Sequence, residues 1–175
     1  LDLLRRHGVR RAKRLQRPAD GFRPIHEQEN DAPDLAIEYV EADEDYGTAG
    51  SVRRALDFLG EEFFVLAGDV LTDVDLTGLY ALHKDREAVA TITVARVENP
   101  TAFGIVVSES DGRIVRFLEK PSWGEVVADT VNAGVYLLSR RALENYRPRT
   151  ALSFENDVFP DLIRQKVPFF AFLHE

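Results

Sequence analysis

The stretch Phe63-Phe64-Val65-Leu66-Ala67-Gly68-Asp69 decides the architecture. Its first five residues (FFVLA) are apolar without alternation, the pattern of a buried strand covered on both faces, as at the centre of a parallel sheet. Gly68 ends that strand and Asp69 follows it directly. In an open α/β sheet, ligands collect at the carboxyl ends of the strands, where loops are free to vary and helix N-termini point the same way. Asp69 therefore stands at the predicted ligand-binding edge, where its carboxylate can hold Mg²⁺ against a phosphate. Magnesium takes one or two protein carboxylates and completes its shell with water and phosphate oxygens. A turn aspartate bonded to nearby backbone occupies such a position equally well.

Outward from this strand, apolar runs of strand length alternate with segments of helical period, which is the signal of the α/β class. Leu35 to Val40 reads as a short strand. Ser51 to Leu59, with apolar Val52, Ala55, Leu56 and Leu59, reads as a helix with Ser51 at its N-cap. Leu76 to Lys84 is an amphipathic helix, and Ala88 to Val97 is a long strand rich in β-branched residues. Gly104 to Ser108 and Ile114 to Leu118 flank Asp111-Gly112, which predicts a hairpin closed by a two-residue turn with both central residues at positive φ. Val131 to Leu138 is a further strand and Arg140 to Tyr146 a short helix. Val158 to Gln165 is a helix that tolerates Pro160 in its first turn, and Pro168 to Leu173 is the last strand. Strands outnumber crossover helices in the second half, so the sheet is mixed. Before residue 35 a helix over Leu1 to His7 precedes a region, Val9 to Asn30, whose sparse apolar residues and Pro18, Gly21 and Pro24 predict irregular structure.

The chain of 175 residues fits one domain, since about 100–200 residues per domain is usual. With 22 basic and 30 acidic side chains its net charge is −8, and 45% of its residues are hydrophobic, a soluble globular composition. No run of roughly 18 apolar residues could cross a bilayer, and no secretory leader is evident, so the expected compartment is the cytoplasm. Arg5, Arg6, Arg10, Arg11, Lys13, Arg14 and Arg17 crowd the start, but without interleaved aromatics or a binding motif they read as a solvated helix end rather than a nucleic-acid arm. Zero Cys excludes disulfides, thiolate zinc sites and a cysteine nucleophile, and the four His are too far apart for a paired-His motif. Any metal would be held by oxygen. The chain has no Met and begins inside a helix, so a fragment is expected.

Further chemistry gathers at four places. Gly47-Thr48-Ala49-Gly50-Ser51, between a strand and a helix, has small residues that let backbone N–H groups approach a ligand, although it is also an ordinary helix start. Glu119-Lys120-Pro121 closes the hairpin; facing a pocket, the Glu accepts from sugar hydroxyls and the Lys supplies a point charge for a phosphate. Asn132-Ala133-Gly134 and Phe103-Gly104 each put a Gly in a strand, where another group can come close to the backbone. No G-x-S-x-G elbow and no H-E-x-x-H occurs. A reaction without a protein nucleophile is favoured.

Taken together, Y-G-T-A-G-S-V at 46–52, F-V-L-A-G-D at 64–69, F-G-I-V at 103–106, F-L-E-K-P at 117–121 and V-N-A-G-V-Y at 131–136 resemble the sugar-1-phosphate nucleotidyltransferases. The wording is nearest their mannose-1-phosphate guanylyltransferase-like branch, and S-F-E-N-D-V-F-P at 153–160 is similar to a segment of that branch. The resemblance implies a Rossmann-like three-layer α/β/α domain with a mixed, mainly parallel sheet. It implies a reaction that joins a nucleoside triphosphate, GTP favoured, to a sugar 1-phosphate and releases pyrophosphate. By the same resemblance Asp69 is the catalytic Mg²⁺ ligand and Gly47 and Thr48 lie near the nucleotide base. Gly104, Glu119, Asn132 and Gly134 line the sugar site, with Lys120 near the sugar phosphate in a catalytic role. Asp157 fits only by position, and capping of the following helix is an equal role for it.

The family's G-x-G-T-R-L-x-P loop and its W-x-D-x-G-T-like segment are absent, so the domain is expected to be incomplete at both ends and inactive or severely impaired as it stands. An exposed sheet edge would then favour homo-oligomers. Two other readings stand beside this one: a non-catalytic nucleotide-sugar-binding domain, and a glycosyltransferase whose D-x-D would be Asp73-Val74-Asp75.

Overall fold

The computed structural model describes residues 2–7, 9–16, 36–41 and 44–174. The strand that carries the sequence argument is β3, Glu62–Leu66, and its neighbour is β7, Thr130–Ser139. They run antiparallel, with Val65 opposite Tyr136 and Leu66 opposite Val135. This departs from the central parallel strand expected from the sequence. Among the described strands β3 has no parallel partner, and only Phe63 of its residues is fully buried. Its continuous apolar run reflects packing on two faces, which an antiparallel strand at this position also has.

β7 is the spine of the sheet. On its other edge it pairs antiparallel with β4, Ala90–Arg96, which in turn pairs parallel with β8, Phe169–Leu173. At its N-terminal end β7 meets β5, Gly104–Ser108, which pairs with β6, Ile114–Glu119. Antiparallel pairings therefore outnumber parallel ones in this mixed sheet, and the expected parallel majority is not found among the described strands. Two further strands form a separate parallel pair: β1, Arg11–Gln16, and β2, Ala36–Glu41. β1 corrects the irregular reading of 9–30 in part, and residues 17–30 lie outside those described.

Alternation along β7 builds the layers. Tyr136 and Leu138 point into one core with Val52, Leu56, Phe154, Phe159 and Phe169, while Val135 and Leu137 point into a second with Val74, Leu76 and Leu79. The first core is roofed by α2, Gly47–Ala55, and α4, Phe159–Arg164; the second by α3, Leu76–Asp85. Leu3 and Leu4 of α1, Asp2–Arg6, add to the second. Helices on both faces of one sheet make the three-layer α/β/α arrangement. Among the described residues no helix is long and apolar enough to cross a membrane.

Local chemistry explains the remaining differences. The helix expected to start at Ser51 starts at Gly47, because the amides of Ala49 and Gly50 donate to the Leu152 carbonyl, at 3.0 and 3.2 Å, from about a hundred residues away. Ser51, one turn in, instead returns its hydroxyl to Gly47 O at 2.8 Å. The helix tightens into a 3₁₀ turn at Leu56–Phe58. In the hairpin only Gly112 has positive φ, +87°; Gly112 N–H donates to Glu109 O and Glu109 N–H to Arg113 O. That is a three-residue loop with a glycine bulge rather than a two-residue turn. The segment after β7 makes a 3₁₀ turn, Arg140–Ala142, in place of the expected helix.

Candidate functional site

β5 and β6 are registered so that Gly104 faces Glu119. A Cβ at Gly104 would stand 2.9 Å from Glu119 Oε2 and 2.5 Å from Phe117 Cζ, so only glycine leaves room for that carboxylate. Burial raises the Glu119 carboxyl above its ordinary range, the nearby Glu155 charge raises it further, and Lys120 opposes both. Lys120 Nζ lies 3.9 Å from Glu119 Oε1 on an exposed side chain. Its backbone is left-handed, φ +43°, with its N–H donated to Phe103 O at 3.1 Å. A non-glycine residue in that region carries strain of about 1–3 kcal/mol, and such residues concentrate at functional sites.

On β7 a bulge does comparable work. The pairing with β4 slips between Ile92 and Val94, and Gly134 takes φ +76°. Four residues of regular strand would span about 13 Å, but the bulge brings Asn132 Nδ2 to 2.8 Å from the Tyr136 hydroxyl, to which it donates. Asn132 Oδ1 accepts from Gly134 N–H at 3.1 Å. Burial raises the Tyr136 phenol, the Asn132 amide opposes this, and the charges of Glu155 and Glu119 push it up. Gly134 O accepts from Ala67 N–H at 2.9 Å, and a Cβ on Gly134 would stand 2.9 Å from Val70 Cγ2. The turn that carries Asp69 is thereby seated on the Asn132–Gly134 bulge. Asp69 itself is exposed and makes no hydrogen bond or ion pair among the described residues.

Glu155 ties these parts to the start of α2. It lies in a π-helical turn, Phe154–Val158, preceded by Ser153, whose hydroxyl donates to Glu155 Oε2 at 2.7 Å and accepts from Glu155 N–H at 3.1 Å. Thr48 donates to the same oxygen at 3.4 Å and accepts from Phe154 N–H at 3.0 Å. Gly47 has φ +68°, and a Cβ there would meet Leu152 O at 2.6 Å. Gly47 and Gly50 therefore serve chain packing, and the amides of Ala49 and Gly50 are spent on Leu152 rather than free for a ligand.

The residues singled out from the sequence thus fall into local groups: Thr48 with Glu155, Gly47 against Leu152, Asn132 with Tyr136 and Gly134, Gly104 with Glu119 beside Lys120, and Asp69 on the turn seated on Gly134. Glu155 and Tyr136 were not anticipated. Tyr136 reads as a core aromatic, which its ring is, at 5.3 Å from those of both Phe154 and Phe159. Asp157 accepts from Ser153 N–H at 2.7 Å, closing the π-turn, while Ser153 caps it. Of the D-x-D pair, Asp75 caps α3 through Thr77 N–H, and Asp73 pairs with His174 at 3.2 Å.

Residues 14–175 match the family model described as Nucleotidyl transferase. The chain is 38% identical over 129 residues to the mannose-1-phosphate guanylyltransferase catalytic subunit beta of Dictyostelium discoideum, covering 72% of this chain and 35% of that protein. It is 35% identical over 130 residues to the mannose-1-phosphate guanylyltransferase of Mycobacterium tuberculosis, covering 74% and 36%. The chain spans about a third of the length of these curated relatives. Among solved structures, HddC from Yersinia pseudotuberculosis superposes with a TM-score of 0.82 at 23% identity, over 98% of this chain and 73% of that one, a likeness of fold.

Proposed function

The chain belongs to the nucleotidyl transferase family, and on that premise we propose that it joins a nucleoside triphosphate to a sugar 1-phosphate with release of pyrophosphate. The observation that carries this reading is the Gly104–Glu119–Lys120 corner. An acceptor carboxylate suited to sugar hydroxyls sits beside an exposed ammonium suited to a phosphate, and glycine opposite keeps the corner open. Asn132 adds an oriented amide from the adjoining strand.

In this reaction a phosphate oxygen of the sugar attacks the α-phosphorus of the triphosphate. The new P–O bond forms as the α–β anhydride breaks, and pyrophosphate leaves with the electron pair. No side chain need act as nucleophile, so the residues serve to position and to neutralise charge. Lys120 holds the sugar phosphate, Glu119 and Asn132 orient the ring, and Thr48 marks the nucleotide side. Guanine and mannose are the favoured base and sugar, since relatives sharing more than a third of aligned residues carry mannose-1-phosphate guanylyltransferase names.

Mg²⁺ fits this site through Asp69, an exposed oxygen donor at the strand end. Among the described residues no group of three His, Cys, Asp or Glu could hold a metal, so further ligands would come from phosphates and water. When bound, the ion would neutralise phosphate charge.

The test is pyrophosphate release by this chain from GTP and mannose 1-phosphate with Mg²⁺. Release that depends on both substrates, and falls roughly 100-fold in Asp69→Asn, supports the reading. Saturable binding of both substrates without release would instead favour a nucleotide-sugar-binding domain.

A further inference from the structure

Glu155 is half-buried, and its two carboxylate oxygens are used unequally. Oε2 accepts from the Ser153 hydroxyl at 2.7 Å and from the Thr48 hydroxyl at 3.4 Å. Among the described residues Oε1 accepts no hydrogen bond and Glu155 has no ion-pair partner. Of the described side chains only His83 Nε2 is both unpartnered and closed off from solvent, so Oε1 opens onto solvent. The clamp fixes one oxygen and presents the other, on a π-turn, a local distortion that recurs at functional sites. An anionic group held partly out of water without a cation weighs against the fold, and such departures concentrate where a ligand is met.

The presented oxygen belongs to the sugar side. Phe117 and Glu119 share one face of β6, since a Cβ at Gly104 would touch both. The Phe117 ring is 5.3 Å from that of Phe159 in α4, which continues the π-turn. Phe154, next to Glu155, has its ring 5.6 Å from Phe159 and 5.3 Å from Tyr136, whose hydroxyl receives the Asn132 amide. The π-turn therefore packs on the face that carries Glu119 and the Tyr136–Asn132 pair, and the raised Glu119 carboxyl registers the Glu155 charge. A carboxylate only accepts, and it repels phosphate oxygens, so its partner must be a neutral donor. On this side of the site the neutral donors are the hydroxyls of a sugar.

We propose that Glu155 is a further sugar-binding residue, whose Oε1 accepts from a hydroxyl of the sugar 1-phosphate and so sets which hydroxyl pattern the site prefers. The inference rests on the proposed function and deepens it. Glu119 and Glu155 hold the sugar from two elements, β6 and the π-turn, while Thr48 and Ser153 keep Oε2 in place, so the acceptor is oriented before the ligand arrives. A site built to bond a hydroxyl rejects the analogue that lacks it, because the acceptor is then left unpaired.

The experiment is titration calorimetry of the whole chain with mannose 1-phosphate and with the set of its monodeoxy analogues, each lacking one hydroxyl, and with GTP and its ribose-deoxy analogue. In the unaltered chain, loss of the hydroxyl that meets Oε1 weakens binding about 10-fold or more. Glu155→Ala weakens mannose 1-phosphate by a similar factor and abolishes discrimination at that one hydroxyl, while discrimination at the others stands. If Glu155→Ala does not fold, Glu155→Gln, close in shape but neutral, carries the test and cuts the same discrimination by about 3-fold or more. Equal weakening of the whole sugar set would mark a merely structural role and overturn the inference. So would discrimination left unchanged at every hydroxyl, or a loss confined to GTP against its ribose-deoxy analogue, which would move the acceptor to the nucleotide. Each of these leaves the proposed function standing. A folded, unaltered chain that does not bind mannose 1-phosphate overturns the proposed function and this inference with it.

Discussion

Gly104 and Glu119 are opposite each other in the β5–β6 ladder, and the space a Cβ would fill at Gly104 is bounded by Glu119 Oε2 at 2.9 Å and Phe117 Cζ at 2.5 Å. Gly104→Ala must therefore displace a carboxylate, an aromatic ring or both. The expected cost is about 1–3 kcal/mol of stability, the usual range for overpacking. Sugar 1-phosphate affinity should fall with it, since Glu119 is pushed from its place. Chemical denaturation and calorimetry on the same variant check both; unchanged affinity would separate Glu119 from the sugar.

Glu119 itself should trade stability for binding. Its carboxyl is raised by burial and by Glu155, so the folded chain holds a proton at a pH where the unfolded chain has lost it. Its stabilising contribution is full below the unfolded value and is lost as pH rises through the raised folded value. At neutral pH the charge is a liability to the fold. Glu119→Gln is expected to melt higher than the unaltered chain at neutral pH, with the advantage shrinking as pH falls toward 4.5. It should also bind sugar 1-phosphate more weakly. Melting curves across that range decide the first point.

Gly134 combines φ +76° with a Cβ position 2.9 Å from Val70 Cγ2 and 3.2 Å from Ala67 Cβ. Gly134→Ala should cost more than about 1 kcal/mol, because left-handed backbone alone disfavours alanine by that amount. Displacement of Val70 would also move the turn that bears Asp69. The variant should therefore lose Mg²⁺-dependent activity out of proportion to its loss of stability, measured by comparing activity at temperatures well below each melting point.

His83 makes folding sensitive to acid. Its ring is buried, with Nδ1 at 2.8 Å from the Thr91 hydroxyl and Nε2 without a partner. Burial lowers its pKa below 6.5; Glu62 opposes this, and Lys84 and Arg141 add to the lowering. Below that value the unfolded chain takes a proton the folded chain refuses, so stability declines as pH falls from 6.5 toward the lowered value. Denaturant unfolding at about pH 7.5 and about pH 5.5 should show this loss, and His83→Gln should reduce it. Equal slopes in the two proteins would place the acid sensitivity elsewhere.

The parts legible in the sequence were those set by local pattern. β4 and β7 carry long β-branched or apolar runs, α3 has a clean helical period, and the hairpin is announced by its Asp-Gly. The parts that were not legible depend on distant partners. α2 begins at Gly47 because Leu152 caps it, and nothing near Ser51 reports that carbonyl. β1, RAKRLQ, is polar at most positions, and its pairing with β2 decides its conformation. β3 reads as central and parallel because an apolar run records burial, not the direction of its neighbour. In the site, Glu119, Lys120 and Asn132 stood out through their neighbours in sequence. Glu155 is placed by a π-turn, which has no periodic signature, and Tyr136 by a bulge at Gly134.

The most direct test of the central claim is a calorimetric titration of this chain with mannose 1-phosphate, repeated on Lys120→Ala and Glu119→Ala. Saturable binding by the unaltered chain, weakened about 10-fold or more in each variant by loss of a charge-assisted contact, is the predicted result. Binding that survives both substitutions unchanged, or no binding by a folded chain, would contradict the assignment of this corner as the sugar-phosphate site.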